Sequence, residues 1–241
     1  MQTEWIENEP DRFGKLAGFG KRSFFHFFGT RTFSGKDLAK IGPAVGLKQV
    51  HGDRVVQVTR DGSGAGSAAG PLQVLEEGDA LVTDHPGVVL AVSTADCVPL
   101  LFFESRARVI GAAHAGWRGT MKGIASRVVA SLAEMYGTSP EAIRVAIGPR
   151  IGPCCFEVGE EVLSQISADH YDEVVSRPTR ERAFLDLAEL NRLQLTEAGV
   201  PPEAIHIAAL CTACHPDRFF SYRRDRGRSG NMISGIMLER S

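Results

Sequence analysis

Near-continuous apolar runs occupy three consecutive segments in the middle of the chain, at residues 88–93, 98–103 and 107–113. Runs of this length between polar residues are typical of strands that are buried on both faces. Shorter strands are predicted at 54–59 and 80–83, on either side of a polar stretch. The sequence therefore predicts that these segments form the core of a sheet.

Helical spacing of apolar residues begins after these runs. One helix is predicted over residues 121–136 by four apolar positions, Ile124, Val128, Leu132 and Met135. A second helix is predicted to begin at Asp186, because Glu189 three residues later completes a capping-box pattern. Since buried strands come consecutively before helices alternate with them, we predict an α+β fold with mixed β-sheets covered by helices, as a single domain over residues 1–241.

Two segments of the chain echo each other. A helix ending at Gly137 leads through residues 140–143 into a strand, and a helix ending at Gly199 leads through residues 202–205 into another. This pattern is either an internal half-repeat or two cases of ordinary helix termination, with glycine at the end and proline just after it.

Residues 61–70, which consist almost entirely of Gly, Ser and Ala, are predicted to form a mobile surface loop between strands.

Composition and charge narrow the range of partners and compartments. The chain has 241 residues and a formal net charge of −2, so its overall charge does not attract nucleic acid or an anionic membrane. No apolar run resembles a signal peptide or a transmembrane segment. Five cysteines at irregular spacing fit a reduced protein better than a disulfide scaffold. We therefore expect a cytoplasmic protein with no nucleic-acid or membrane partner.

The residues from Ala113 to Thr120 place a candidate metal ligand next to a candidate anion site. His114 ends a predicted strand, and the turn that follows contains Gly116, Arg118 and Gly119. Free backbone N–H groups at the start of a helix favour an anion such as phosphate, and arginine adds bidentate hydrogen bonding. The alternative is a tight strand-to-helix connection with a histidine that is satisfied inside the core.

His51 and Cys97 are two further candidate ligands, because each lies in a polar interruption of an apolar run. Together with His114 they would form a His, Cys, His set that can meet only in the folded chain. Such a set suits a catalytic zinc with three protein ligands and an open fourth position. The same donors also suit copper, although the other histidines lack the His-x-His pairs of multicopper clusters. Taken singly, Cys97 could be a small buried residue and His51 a turn residue.

The order of several motifs resembles the YfiH-like family, whose members are also labelled laccase-domain proteins or polyphenol oxidases. The motifs cover nearly the whole chain: His26 to Arg31, Gln49 to Gly52, Gly78 to Ala80, Thr94 to Pro99, His114 to Gly119, Gly148 with Pro149, Cys154 to Val158, and Phe219 to Asp225. The stretch from Thr32 to Lys36 departs from the family pattern at the rim of the expected pocket.

This resemblance implies an activity and a set of roles. It implies that His51, Cys97 and His114 bind one zinc ion in a layered YfiH-like fold. It also implies phosphorolysis of purine nucleosides (adenosine, inosine, guanosine and, as a further candidate, methylthioadenosine) and deamination of adenosine. The alternative function is that of a copper-dependent polyphenol oxidase.

The residue chemistry adds candidates for the rest of the reaction. Arg118 and Arg223 suit the phosphate, and Ser93 and Thr94 could donate from their hydroxyl groups. The alternative for Arg223, and more so for Arg224, is a solvated surface position, because charged side chains usually point to water. For deamination, Asp79 or Asp96 could be the acid/base carboxylate, or could instead orient a ligating histidine.

The remaining cysteines allow several interpretations. Residues 211–215 have the Cys-x-x-Cys-His pattern of c-type haem attachment, which would make the chain an electron-transfer or binding module. The pattern could also hold a second metal or form a redox pair, but we favour a plain turn at a strand end. Because neighbouring cysteines bridge only with strain, Cys154 and Cys155 are interpreted as packing residues.

Overall fold

A computed structural model describes residues 2–8, 13–19, 23–59 and 72–240. The loop predicted at 61–70 lies outside these residues. The described strands are β1 (Gln2–Thr3), β2 (Trp5–Asn8), β3 (Phe13–Leu16), β4 (Phe24–Gly29), β5 (Ala44–Lys48), β6 (Val55–Gln57), β7 (Gln73–Glu77), β8 (Ala80–Thr83), β9 (Val89–Thr94), β10 (Val98–Glu104), β11 (Val109–Ala115), β12 (Arg144–Ile147), β13 (Glu157–Val158), β14 (Val175–Thr179), β15 (Arg182–Leu185), β16 (Ile205–Ala208) and β17 (Met232–Leu238).

The described helices are α1 (Gly35–Ile41), α2 (Trp117–Met121), α3 (Ile124–Tyr136), α4 (Glu160–Leu163), α5 (Ala168–Val174) and α6 (Leu187–Glu197), with 3-10 turns at Pro140–Ala142 and Pro202–Ala204. None of these helices combines the length and apolarity that a bilayer span requires.

The strands form three sheets. The inner sheet has the order β1-β16-β12-β10-β11-β8-β6, the outer sheet has the order β2-β3-β4-β17-β9-β5-β7, and a small sheet has the order β13-β15-β14. Both seven-stranded sheets are mixed: β10 pairs antiparallel with β11, whereas β12 pairs parallel with β16. In the outer sheet, β17 pairs antiparallel with β9, and β5 pairs parallel with β9.

Strand β10 shows how the layers are stacked, because alternate residues of a strand face opposite sides of its sheet. Leu101 and Phe103 belong to the cluster shared with the outer sheet, and Phe103 stacks on Phe24 at 4.1 Å between ring centroids. Leu100 and Phe102 belong to the cluster formed with helices α3 and α6. The molecule is thus layered as outer sheet, inner sheet and helices, which confirms the predicted α+β fold of mixed sheets covered by helices.

The helix predicted over 121–136 is in fact divided. Gly123 has a φ of 77° and separates the short helix α2 from α3. Ile124, Val128 and Leu132 are buried as predicted, but Met135 is 43 % exposed and lies outside the core. The predicted start of α6 is present, since the Asp186 carboxylate caps the helix by accepting hydrogen bonds from two backbone N–H groups.

The two echoing segments form equivalent units of the inner sheet. Each continues from its helix through a 3-10 turn into a strand, and these strands, β12 and β16, lie side by side in parallel. Val145 stands opposite Ile205 in this pairing. Gly137 closes the first helix with a φ of 67°, the left-handed conformation that glycine adopts most easily.

Two connections between the large sheets lead to the end of β11. The chain passes from the outer to the inner sheet between β5 and β6, and again between β9 and β10. Pro99, near the start of β10, is paired with His114 on β11. Both crossings therefore bring polar residues next to the end of β11.

Candidate active site

His51, Cys97 and His114 meet where the two crossings approach the end of β11. One nitrogen of each histidine and the Cys97 sulfur all lie within 4.8 Å of one another. The two imidazole rings meet edge to face, with 4.8 Å between their centroids. The structure thus brings together the three side chains that the sequence nominated as metal ligands.

A buried aspartate, Asp79, holds two of these three residues in place. Its Oδ1 accepts hydrogen bonds from His114 Nδ1 at 2.8 Å and from the His51 backbone N–H at 3.0 Å. Its Oδ2 accepts from the backbone N–H groups of Val50 at 3.2 Å and Gly52 at 2.7 Å. Because His114 Nδ1 donates to this carboxylate, its Nε2 is the nitrogen left to bind a metal.

The turn around His51 is held in an unusual conformation. His51 has a φ of 58°, in the left-handed region that non-glycine residues seldom occupy. Gln49, two residues earlier, donates to the Ser93 carbonyl and accepts from the Ser93 N–H, both at 2.8 Å. These bonds tie the turn to the end of β9 and offset the strain at the histidine.

Gly116 has no side chain, and the three candidate ligands pack against the space that a side chain would fill. A Cβ added at this position would lie 2.9 Å from His51 Cδ2 and 3.2 Å from Cys97 Sγ. Contacts of this length force neighbouring atoms to move. The absence of a side chain at Gly116 is therefore part of the geometry of the cluster.

The electrostatics of the cluster favour a thiolate at Cys97. Burial would raise the pKa of this thiol, but hydrogen bonding to His114 and His51 lowers it to about 7. Burial would lower the pKa of His114, but its bonds to Asp79 and Cys97 raise it to about 9. The pKa of Asp79 is held below its ordinary value despite burial, by hydrogen bonds from His114 and Gly52. An ionised sulfur is the form that binds a metal.

These residues fit a metal ion with an open coordination position. Two imidazole nitrogens and one thiolate are borderline-soft donors that suit zinc and also copper. Three protein ligands facing a cavity leave a fourth position for a reactant, as in catalytic zinc sites. The hydrogen bond from His114 to a buried carboxylate is the arrangement that orients metal-bound histidines.

A cavity of about 750 Å³ opens over this cluster. All the residues nominated for metal binding and catalysis line it: His51, Ser93, Cys97, His114, Arg118 and Arg223. Three aromatic side chains that were not nominated, Trp117, Phe156 and Tyr222, line it as well. Each lies inside one of the segments that resemble the YfiH-like family, so the sequence could have nominated them by their place in those segments.

The two cavity arginines are held differently. The Arg118 guanidinium stacks over the Trp117 ring at 4.2 Å, and within the described residues no carboxylate pairs with it. Arg223 donates from Nη1 to the Glu157 carbonyl at 2.9 Å and lies over the Phe156 ring at 5.4 Å. Arg118 therefore has the freer hydrogen-bonding groups for an anion.

Asp96 positions the segment that carries Arg223. Its Oδ1 accepts from Thr212 Oγ1 at 2.6 Å, and its Oδ2 accepts from Ser221 Oγ at 3.0 Å and from the Arg223 N–H at 2.7 Å. Asp96 itself has a φ of 89°, so its backbone is also strained. Neither Asp79 nor Asp96 is a free carboxylate, because both are committed to several protein donors.

Comparison with known proteins places the chain in a family. Residues 34–239 match the family model described as multi-copper polyphenol oxidoreductase laccase. The chain belongs to this laccase family.

Named relatives in the family act on purine nucleosides. Purine nucleoside phosphorylase YlmD of Geobacillus stearothermophilus is 43 % identical over 194 residues, which are 78 % of this chain and 70 % of the relative. Adenosine deaminase RL5 from an unknown prokaryotic organism is 42 % identical over 165 residues, which are 67 % of this chain and 63 % of the relative. The crystal structure of the hypothetical protein YfiH of Bacillus licheniformis matches with a TM-score of 0.86 and 30 % identity, over 95 % of this chain and 97 % of that one. The predicted resemblance to YfiH-like, laccase-domain proteins is thereby confirmed.

The stretch where this chain departs from the family motif lies away from the cavity. Ser34 precedes α1, and the Asp37 carboxylate accepts from its backbone N–H at 2.9 Å and its Oγ at 2.6 Å. None of the residues from Thr32 to Lys36 is among those that line the described cavity. The departure therefore forms the start of a helix and not the rim of the pocket.

The structure also describes Arg224 and the segment that follows Gly116. Arg224 does not simply face solvent: it donates to the Thr212 and Phe219 carbonyls, both at 2.9 Å, and so holds the loop between them. The segment after Gly116 turns directly into a helix, as predicted, because α2 begins at Trp117 and the Thr120 N–H donates to the Gly116 carbonyl at 2.9 Å.

The hydroxyl candidates also differ from each other. Ser93 lines the cavity, and its backbone is fixed by Gln49. Thr94 is buried, does not line the cavity, and its Oγ1 has no hydrogen-bond partner among the described residues. Of the two, only Ser93 is placed to meet a substrate.

Proposed function

We propose that this protein is a zinc-dependent purine nucleoside phosphorylase that also deaminates adenosine. The observation that carries the proposal is the single cavity that joins the His51, Cys97 and His114 cluster to Arg118 and Arg223. The names of the relatives support the same reaction class. Inosine, adenosine, guanosine and methylthioadenosine are the proposed nucleosides, with phosphate as the second substrate.

The cavity suits a nucleoside in size and lining. Its volume of about 750 Å³ lies within the range of small-molecule sites. The rings of Trp117, Phe156 and Tyr222 offer flat apolar faces to a purine, which stacks on aromatic side chains. Arg118 offers a planar guanidinium fork to phosphate, and Arg223 adds a second positive charge.

In phosphorolysis a phosphate oxygen forms a bond to C1′ of the ribose as the bond from C1′ to the purine nitrogen breaks. The bond electrons leave with the purine, so the base gains negative charge. Arg118 and Arg223 hold the phosphate in position for this displacement, which lowers the entropic part of the barrier. Ser93 can donate a hydrogen bond inside the cavity. Zinc, when held by His51, Cys97 and His114, would supply Lewis-acid chemistry beside the substrate.

Phosphorolysis demands less of the carboxylates than deamination does. Zinc deaminases use a separate carboxylate to carry protons to and from the purine. Asp79 is hydrogen-bonded to the cluster and Asp96 precedes Cys97 in the chain, and both already accept three or more hydrogen bonds from the protein. We therefore propose phosphorolysis as the main reaction and deamination as the secondary one.

The polyphenol oxidase alternative has less support from the side chains. Within the described part of the chain, histidines enter only one group of three or more metal-ligating residues. A multicopper oxidase needs several histidine-rich copper sites close together. The residues that line the cavity therefore favour a nucleoside phosphorylase over the polyphenol oxidase that the family description names.

We also propose that residues 1–241 act as one catalytic unit in the cytoplasm. The cavity draws its lining from positions as far apart as Leu47 and Asn231, so both halves of the chain build it. All five cysteines are free thiols, as a reducing compartment would keep them.

The test is chromatography of inosine incubated with the purified protein, with and without phosphate. The expected result is hypoxanthine with an equal amount of ribose 1-phosphate, formed only when phosphate is present. A zinc-loaded protein that forms no hypoxanthine would refute the phosphorylase proposal, and inosine formed from adenosine by the same sample would leave deamination as the main activity.

Variants separate the metal cluster from general effects on folding. Cys97→Ser should abolish turnover while the circular dichroism spectrum is unchanged. His170→Asn is the matched control, because His170 pairs with Glu197 and does not line the cavity. Full activity in Cys97→Ser would contradict a catalytic role for the metal.

A further inference from the structure

The four cysteines outside the cavity cluster come together in space. Cys154 and Cys155 follow β12, and Cys211 and Cys214 follow β16, so the parallel pairing of these strands brings both pairs to one edge of the inner sheet. All four sulfur atoms lie within 4.8 Å of one another. The sequence-based interpretations of Cys154 and Cys155 as packing residues and of residues 211–215 as a plain turn are therefore incomplete.

The sulfur separations are those of ligands around a single ion. Cys214 Sγ lies 3.4 Å from Cys155 Sγ and 3.6 Å from Cys154 Sγ. A disulfide would require about 2.0 Å. Four thiolates placed tetrahedrally at about 2.3 Å from zinc lie about 3.8 Å apart. The observed distances are close to this value.

The backbone around the cysteines is shaped to hold them. The Gly152 N–H donates to Cys211 Sγ at 3.2 Å, as backbone groups do to metal-bound sulfur. A Cβ at Gly152 would lie 3.3 Å from Cys211 Cβ and 3.4 Å from Cys154 Sγ, so the two loops already approach to contact distance at this glycine. The Cys155 N–H closes the turn by donating to the Gly152 carbonyl at 2.9 Å.

Two arginines supply positive charge beside the sulfurs. Arg150 is 8 % exposed, its backbone pairs with Cys211 in an isolated β-bridge, and its guanidinium is close enough to Cys211 and Cys154 to interact with their charges. Arg224 donates to the carbonyls of Thr212 and Ala213, between the last two cysteines. A divalent ion with four thiolates carries a net charge of −2, which these guanidinium groups offset.

We propose that Cys154, Cys155, Cys211 and Cys214 bind a structural zinc ion, separate from the metal of the cavity. Four protein thiolates complete a tetrahedron and leave no open position, which is the character of structural zinc sites. Zinc binds such donors more tightly than ferrous iron does. A four-iron cluster would have to fit between the thiolates and would hold them further apart than these sulfurs lie.

The ion would fasten two loops that build the cavity. The first loop continues from Cys155 to Phe156, and the second contains Thr212, whose hydroxyl donates to Asp96. Asp96 in turn holds the backbone of Arg223. Zinc at the four cysteines therefore stabilises the cavity wall without contacting a substrate.

The experiment is a count of metal per chain, which does not depend on any enzymatic activity. The full chain is purified under reducing conditions without added metal, and zinc and iron are measured by mass spectrometry. We expect two zinc equivalents in the wild type, one in Cys97→Ser and one in Cys214→Ser. Because Cys97 and Cys214 belong to different clusters, each variant is the control for the other.

A second measurement holds even if Cys214→Ser does not fold. Cobalt is substituted into Cys97→Ser, where only the four-cysteine site remains intact, and the visible spectrum is recorded. Strong sulfur-to-cobalt charge transfer with tetrahedral d–d bands is expected. A wild type with one zinc that Cys97→Ser loses completely, iron with inorganic sulfide, or a disulfide at Cys214 in freshly reduced protein would each overturn the proposal.

Discussion

Asp79→Asn is the substitution that tests how the candidate metal cluster is held. The Asp79 carboxylate accepts four hydrogen bonds, from His114 Nδ1 and His51 N–H on one oxygen and from the Val50 and Gly52 N–H groups on the other. An amide of the same shape has only one oxygen. Whichever way the asparagine turns, two of the four donors face an NH₂ group that cannot accept from them.

The structure gives the expected magnitude. A fully buried donor without an acceptor costs about 1–3 kcal/mol, and the backbone donors of residues 50–52 are only partly buried, so the free energy of unfolding of the metal-free protein should fall by about 1–3 kcal/mol. Zinc affinity should fall by about 10–100-fold as well, because His114 loses the carboxylate that orients its ring. Both effects have the same origin but are measured separately.

The assays are urea denaturation in the presence of a chelator, and zinc competition against a chromophoric chelator. Asp53→Asn is the matched control, since Asp53 lies in the same segment but forms only a surface ion pair with Arg127 at 3.3 Å. Such pairs contribute about 0–1 kcal/mol. An Asp79→Asn protein that matches Asp53→Asn in both assays would refute the assignment of Asp79 as the positioning residue.

Three further predictions concern the cavity and the core. Gly116→Ala should weaken zinc binding strongly because its Cβ meets two of the proposed ligands, whereas Gly137→Ala, whose Cβ meets nothing within 4 Å, should lose stability but bind zinc normally. Arg118→Met should raise the KM for phosphate by tenfold or more, with a smaller change in kcat. The control variant Arg127→Met should change neither constant. Equal effects in the two variants would contradict a contact between Arg118 and phosphate. Burial lowers the pKa of His26 from 6.5 to about 3, so the unfolded chain gains a proton at this position as the pH falls below 6.5 and the folded chain does not. Stability should therefore be complete above pH 6.5 and fall by about 2 kcal/mol between pH 6.5 and pH 5, as measured by urea denaturation, and His26→Asn should remove this part of the pH dependence.

The strands could be predicted from the sequence because their burial on both faces leaves an uninterrupted apolar signal. Strands β9, β10 and β11 lie within one or two residues of the predicted segments. The division between α2 and α3 could not be predicted from apolar spacing, since Ile124, Val128 and Leu132 keep the helical period whether or not Gly123 breaks the chain before them. The allocation of strands to two stacked sheets also depends on long-range pairing that no local pattern carries.

The candidate ligands could be nominated from the sequence because His51 and Cys97 interrupt apolar runs and His114 ends a predicted strand, but family resemblance was needed to join them. The role of Asp79 depends on four donors from two segments of the chain, which only the folded structure brings together. The four-cysteine cluster was missed for a simpler reason. Each pair was interpreted alone, although two close pairs in a chain of five cysteines are the kind of spacing that zinc sites show.

The position of the His51, Cys97 and His114 cluster makes it sensitive to the whole molecule. His51 lies where the chain leaves β5 for β6, Cys97 lies where it leaves β9 for β10, and His114 belongs to β11 of the inner sheet. An ion bound at this point would hold the two sheets in register, because sliding one sheet over the other would pull its ligands apart. A substitution at Leu90, inside the layer between the sheets, would then loosen metal binding without touching the metal. Affinity for the proposed ion would therefore report how tightly the two sheets pack against each other.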